Sequence, residues 1–189
     1  MRIAMVAFDG FTDVDLFLPW DLFYRVRAPD YAAYDGEWDV RICADTPTVT
    51  SYSGLAIDAR ERLEWASGAD AVFIVSGPGA RVKIKDPAFV SKLRLDPSRQ
   101  LIAAIDSGAL ILARLGLLDG LSATTYPSVF EELEAMGVTV ERRAFVAHGN
   151  IATGGGCLAT QDLAAWIVER LVGPAAAAAI VDSVAKLEG

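Results

Sequence analysis

Leu101-Ile102-Ala103-Ala104-Ile105-Asp106-Ser107-Gly108-Ala109-Leu110 reads as a buried strand that runs straight into a buried helix, with no loop between them. Five apolar residues in a row, without alternation, are what a strand covered on both faces of a sheet requires. Leu110, Ile111, Leu112, Leu115, Leu117 and Leu118 then make a helix apolar nearly all round, which belongs against that sheet. The residue at such a corner is forced toward strained backbone angles and its side chain projects above the sheet edge. That residue is Asp106, and its neighbours Ser107, Gly108 and Ala109 have the small size a tight turn needs. The Ser107 backbone N–H opens the helix and is a candidate oxyanion donor. On spacing alone, capping the helix is the favoured role for Asp106 and a reacting group the second.

Working outward, strand-length apolar runs alternate with helical patterns, the signature of βαβ units and a mainly parallel sheet. Ile3–Phe8, Trp38–Ala44 and Ala71–Val75 read as further core strands, and Ile151–Thr153 as the last. Val14–Val26 has helical spacing, but Pro19 cannot donate to the carbonyl four residues back. The regular helix is therefore expected to begin near Pro19, leaving Asp15 in an irregular entry segment. Thr48–Ile57 suggests a hairpin-like excursion, Ala123–Tyr126 a short strand and Val129–Met136 a helix. Val138–Val140 and Phe145–Ala147 suggest a polar-tipped hairpin. Gly154-Gly155-Gly156 leads into a helix carrying Leu163, Ile167 and Leu171, and Gly173-Pro174 breaks to an Ala-rich final helix. With no repeat and no long linker, residues 1–189 are expected to form one domain.

The balance of charge narrows the partners. A formal net charge of −8 and a pI of about 4.6 argue against nucleic acid and anionic membrane, which need a basic patch. No apolar run is long enough to span a bilayer, and the apolar start Ile3–Phe8 is stopped by Asp9-Gly10, too short for a signal-peptide core. A cytoplasmic protein is expected, with Cys43 and Cys157 as thiols. The single histidine, His148, sits at the Gly149-Asn150 turn signal without ligand spacing, so neither metal nor cofactor is expected. Cys157 follows the triple glycine and reads as a small buried thiol that could approach the site. Gly77 and Gly79 lack the spacing of a dinucleotide fingerprint. Tyr126 divides evenly between a hydrogen-bond donor to a ligand and a packed ring.

The run Ile105-Asp106-Ser107-Gly108-Ala109, continuing through Ala113, Gly116-Leu117-Leu118-Asp119-Gly120 and Ala123-Thr124-Thr125, resembles the nucleophile elbow of the ThiJ/PfpI superfamily. Asp13-Val14-Asp15-Leu16, Pro19 and Asp21-Leu22-Phe23 are similar to the family's first helix, which carries an acidic residue at the place of Asp15. Ser76-Gly77-Pro78-Gly79 resembles its glycine-rich loop, and Gly149-Asn150-Ile151 through Gly155-Gly156, with Asp162 beyond, its closing strand and helix. The likeness covers nearly the whole chain. It implies a class I glutamine-amidotransferase-like fold: a flavodoxin-like three-layer α/β sandwich, mostly parallel, with helices on both faces. It also implies a homodimer, and a second oxyanion N–H from Gly77.

The departures from the family pattern bear on chemistry. The elbow normally carries cysteine where Asp106 stands, and the glycine loop normally has proline and glycine at Val75 and Ser76. A histidine often found after the Thr-Thr pair is replaced by Tyr126. A Cys–His–Glu amidotransferase arrangement is thereby excluded, as is cysteine chemistry at the elbow. What the resemblance implies is a small-molecule hydratase or hydrolase of the isonitrile-hydratase-like branch, with Asp106 and Asp15 as reacting carboxyls. Gly77 and Ser107 would supply oxyanion N–H groups, and Ser76, Tyr126 and Gly156 would line the substrate site. Asp106 could act as a nucleophile or share a proton with Asp15. The alternative is a non-catalytic small-molecule-binding or stress-related homodimer, in which Asp106 mimics an oxidised cysteine.

Overall fold

In the computed structural model, which describes residues 1–185, eleven strands and seven helices are assigned. In chain order the strands are β1 Arg2–Val6, β2 Asp39–Ala44, β3 Thr48–Thr50, β4 Ala56–Asp58 and β5 Glu61–Arg62. They continue with β6 Ala71–Ile74, β7 Leu101–Ile105, β8 Ser122–Ala123, β9 Thr139–Val140, β10 Phe145–His148 and β11 Ile151–Gly154. The helices are α1 Asp13–Arg25, α2 Ala80–Lys83, α3 Pro87–Lys92, α4 Ala109–Arg114, α5 Phe130–Ala135, α6 Thr160–Leu171 and α7 Pro174–Asp182.

Seven strands form the central sheet in the order β10-β11-β7-β6-β1-β2-β5, parallel except for β10 at one edge. Ile3–Val6, Ala71–Ile74 and Ile102–Ile105 are wholly inaccessible, which is why those strands are apolar without alternation. Crossovers running in opposite directions from β1 put helices on both faces. Helix α1 packs on α6 and α6 on α7, while α4 packs against α2 and α5. The fold is thus the mostly parallel α/β sandwich expected from the apolar pattern.

The strand order has a consequence for the site. From β1 the chain moves to β2 on one side, and later returns to lay β6 against β1 on the other. The sheet therefore has its topological switch point between β1 and β6, and the crevice at the carboxyl ends of such strands is where open α/β sheets bind ligands. The segments leaving β1, β6, β7 and β11 all emerge along this edge.

Two local expectations are corrected. Helix α1 begins at Asp13, not near Pro19, and carries Pro19 in its interior. The lost amide costs one hydrogen bond, but Leu16, Leu22 and Phe23 are fully buried and hold both halves to the core. Asp15 consequently sits in the first helical turn. The hairpin expected over residues 138–147 does not form either. Thr139–Val140 runs parallel to Ser122–Ala123, and Phe145–His148 pairs instead with Ile151–Gly154. The hairpin is closed by Gly149-Asn150, with Gly149 at φ +58°, the two-residue loop chemistry that matches strand twist.

Candidate active site

Asp106 begins a 3-10 turn, Asp106–Gly108, between β7 and α4. Its φ is +49°, a left-handed value that L residues other than glycine rarely take, with Asn and Asp the usual exceptions. The turn holds this geometry because β7 and α4 are both anchored in the core and Thr125 Oγ1 donates to the Asp106 carbonyl at 2.8 Å. A side chain on Gly108 would put its Cβ 2.8 Å from the Val75 carbonyl, so the small residue is sterically required. The Asp106 carboxyl keeps a hydrogen bond from the Ser107 backbone N–H at the start of the helix, the contact a capping role expects, and at the same time lies in the crevice within 4.8 Å of Asp15.

Asp15 faces this turn from the first turn of α1. It is fully buried, accepts a short hydrogen bond from Ser76 Oγ, and accepts from Cys157 Sγ at 3.5 Å. Its other oxygen, Oδ1, is buried with no hydrogen-bond partner. Ligand atoms of Asp15, Asp106 and Cys157 all lie within 4.8 Å of one another, although no direct hydrogen bond joins the two carboxyls among the described contacts. The four segments that leave β1, β6, β7 and β11 thus each contribute one member: Asp15, Ser76, Asp106 and Cys157.

The electrostatics follow from this crowding. Burial above all, and then the negative charge of Asp15, push the Asp106 carboxyl up to about 6, while the Ser107 amide and Arg81 pull the other way. Burial raises Asp15 as well, partly offset by hydrogen bonds from Ser76 and Cys157. The Cys157 thiol is pushed up to about 12 by burial and by Asp15 and Asp106, so it is a hydrogen-bond donor rather than a thiolate. The two carboxyls thus titrate as a coupled pair, with the charge on Asp15 keeping the proton on Asp106 to higher pH.

The oxyanion expectations fare unequally. Gly77 donates its N–H to Ser107 Oγ at 3.0 Å, and Ser107 Oγ donates back to the Gly77 carbonyl at 3.1 Å. The Gly77 amide is therefore directed at a side chain instead of standing open to a substrate oxygen. Ser107, in the first turn of its helix, has no intrahelical carbonyl for its N–H. Gly77 itself is sterically fixed: at φ +141° its Cβ would stand 2.1 Å from the Gly10 carbonyl. Ser76 is not an open substrate contact but the buried partner of Asp15. Tyr126 lies exposed on the rim, and a Cβ on Gly156 would be 3.9 Å from its ring. His148 is exposed and meets Ser122 Oγ at 2.8 Å, away from the carboxyls.

One participant, Arg81, escaped the sequence reading, and another, Cys157, was expected there only as a small buried thiol that could approach the site. Cys157 belongs to the cluster and is half-exposed, although it is 142 positions from Asp15. Arg81 is the cation that faces Asp106, yet its guanidinium is held by Glu132 in hydrogen bonds of 2.5–2.9 Å. The Pro78-Gly79 turn that starts α2 could have signalled Arg81, as the triple glycine did Cys157.

Known proteins carry this arrangement of elements. The chain is 26% identical over 174 residues to an isonitrile hydratase of Pseudomonas putida, covering 92% of this chain and 73% of that protein. It is 29% identical over 140 residues to the HTH-type transcriptional regulator CdhR of Pseudomonas aeruginosa, covering 72% of this chain but only 41% of the regulator. A ThiJ/PfpI family protein from Pseudomonas syringae superposes with a TM-score of 0.83 at 26% identity, over 100% of this chain and 76% of that one. The model of the DJ-1/PfpI family matches residues 1–170. A buried elbow, an acidic first helix and a site at the sheet switch point, joined in one chain with these likenesses, have one reading: the chain belongs to the DJ-1/PfpI family.

Proposed function

We propose that this chain is a small-molecule hydratase or hydrolase of the isonitrile-hydratase-like kind, working with the Asp106–Asp15 carboxyl pair where the family elbow carries cysteine. The observation that supports it most is the placement of two carboxyls within 4.8 Å at the switch-point crevice, one of them fully buried. For an isonitrile, neutral Asp106 gives its proton to the terminal carbon. Water adds to the same carbon as Asp15 accepts a proton from it, and transfer to nitrogen completes the N-substituted formamide. One C–H, one C–O and one N–H bond form, water is consumed, and the pair regains its single shared proton. The Ser107 N–H faces charge developing at the elbow.

A carboxyl pair of this type sets the pH profile. The donor is lost as Asp106 ionises, so kcat/KM on an isonitrile is expected to fall about tenfold per pH unit above an apparent pKa near 6. Steady-state kinetics from pH 4.5 to about 9 measure this. A rate independent of pH across that range removes the acid–base assignment, whereas no turnover at any pH leaves the non-catalytic binding module, the reading that the likeness to part of a transcription regulator favours.

The same proposal includes a homodimer in the cytoplasm. Val14, Phe17 and Tyr24 are exposed on α1, and the Asp13–Ser53 hydrogen bond of 2.9 Å draws the hairpin turn with exposed Tyr52 and Leu55 beside them. A continuous apolar patch of this sort is what a second copy would cover. Light scattering on the eluting protein should give twice 20.2 kDa; a monomer mass at micromolar concentration counts against it. No helix among the described residues is long and apolar enough to cross a membrane.

A further inference from the structure

The cluster at the crevice contains more than an acid pair requires. Three side chains from three separate segments present a carboxylate oxygen, a second carboxylate oxygen and a sulfur within 4.8 Å of one another. Asp15 Oδ1 is buried without a partner, an arrangement that is costly unless something is to be bound there. Arg81, the cation among the described residues that faces Asp106, is already committed to Glu132. Acidic groups are thus gathered at the crevice with no free cation among the described residues placed to meet them.

We propose that Asp15, Asp106 and Cys157 form a divalent transition-metal site selective for a thiophilic ion such as Zn²⁺. Tetrahedral zinc, with bonds of about 2.3 Å to sulfur and about 2.0–2.2 Å to oxygen, needs ligand atoms about 3.4–3.6 Å apart. Cys157 Sγ lies 3.5 Å from an Asp15 carboxylate oxygen, and the ligand atoms of all three residues, within 4.8 Å of one another, draw in to that spacing when the ion binds. Ser76 Oγ and Cys157 Sγ both donate to Oδ2, so the oxygen offered to the ion is the unpartnered Oδ1, with Ser76 holding the carboxylate through its other oxygen as outer-shell partners of metal ligands do. Mixed sulfur and carboxylate donors favour zinc over magnesium or calcium, which take oxygen alone. Three protein ligands leave one tetrahedral position for water or a small ligand, the coordination of a reactive rather than a structural site.

Binding has a signature in protons. Cysteine ligates zinc as the thiolate, so binding releases the Cys157 proton. The inference does not depend on the hydratase reading, since its readouts need no substrate.

The test uses the full chain, purified reduced and metal-free. Calorimetric titration with Zn²⁺ at pH 7.5 should show one equivalent bound with proton release, seen as a heat that varies with the buffer's ionisation enthalpy. Co²⁺ should give a thiolate charge-transfer band in the near ultraviolet. Cys157→Ser should abolish the band and weaken Zn²⁺ by more than about 100-fold, beyond the range of an outer-shell loss. Cys43→Ser and His148→Gln should leave both unchanged, Cys43 being buried elsewhere and His148 exposed. If Cys157→Ser fails to fold, Asp106→Asn serves in its place, with an expected loss of at least about 10-fold. Absence of stoichiometric binding overturns the proposal. So does binding that survives Cys157→Ser unchanged, or survives Asp106→Asn unchanged where that variant stands in.

Discussion

Asp106→Asn is expected to lower kcat/KM on a substrate of the wild-type protein by about 10²- to 10⁴-fold, the range that a positioned proton donor contributes. The substitution is close to isosteric, and asparagine tolerates the left-handed φ of +49° that the corner imposes. Ser107, Thr125 and the buried ends of β7 and α4 have no reason to move. What disappears is the ability to gain and lose a proton, and with it the residual rate should lose its dependence on the Asp106 ionisation. Comparing pH profiles of wild type and variant separates this from a binding defect, because weakened binding alone raises KM and keeps the profile. An Asp106→Asn protein with full activity would exclude Asp106 from the chemistry. If Asp106 is instead a nucleophile, single turnover in ¹⁸O-labelled water places label in its carboxyl, detectable by peptide mass.

The same variant is expected to be more stable than wild type at neutral pH. Asp106 in the folded chain titrates near 6, against an ordinary value of 3.8, so between those values the native state binds more protons than the unfolded state. Stability therefore falls as pH rises from about 4 through 6, and the full cost of an ionised Asp106 is present above that window. Two units at about 1.4 kcal/mol each bound the effect at about 3 kcal/mol. Asparagine carries no such cost. Urea unfolding should show Asp106→Asn more stable by up to about 3 kcal/mol at pH 7.5, with the gap closing toward pH 3.5. Equal stability at both pH values would mean that the carboxyl is better solvated than its burial implies. A gain in stability joined to a loss of activity is the trade expected where a site is held in an unfavourable electrostatic state for its chemistry.

The hydrogen-bond network explains why the glycine loop contributes differently from the elbow. Ser107 Oγ both accepts from and donates to Gly77, tying the end of β6 to the end of β7. Gly77 and Gly79 are present because the β1 exit passes too close for a side chain, with a Gly79 Cβ falling 1.8 Å from the Asp9 carbonyl. These contacts set the spacing of the crevice before any ligand arrives, and they reserve for structure an amide that the motif alone would assign to an oxyanion.

How much of this was legible in the chain differs by the range of the interaction. Continuous apolar runs at Ile3, Ala71 and Leu101 specify buried parallel strands, since burial on both faces acts on each residue through its immediate neighbours. The abrupt Ile105-Asp106-Ser107 junction likewise specifies a strained corner. Hairpin partners were less legible: Val138–Val140 and Phe145–Ala147 both look like strands, and only the sheet assigns them to different neighbours. Period-2 patterns identify a strand but not its partner. Pro19 misleads for a related reason, because tertiary burial of Leu16 and Phe23 outweighs one missing helix hydrogen bond.

Asp106 itself, then, was determined by the sequence, as an acid at a tight corner between two buried elements. Its company was decided by the tertiary structure alone. Asp15, Ser76 and Cys157 come from 61 to 142 positions apart, and they meet because parallel strands deliver all their exits to one edge of the sheet. An aspartate in isolation is an ordinary acid. Burial beside a second carboxylate, a condition no local pattern encodes, is what raises it to about 6 and makes the corner a site.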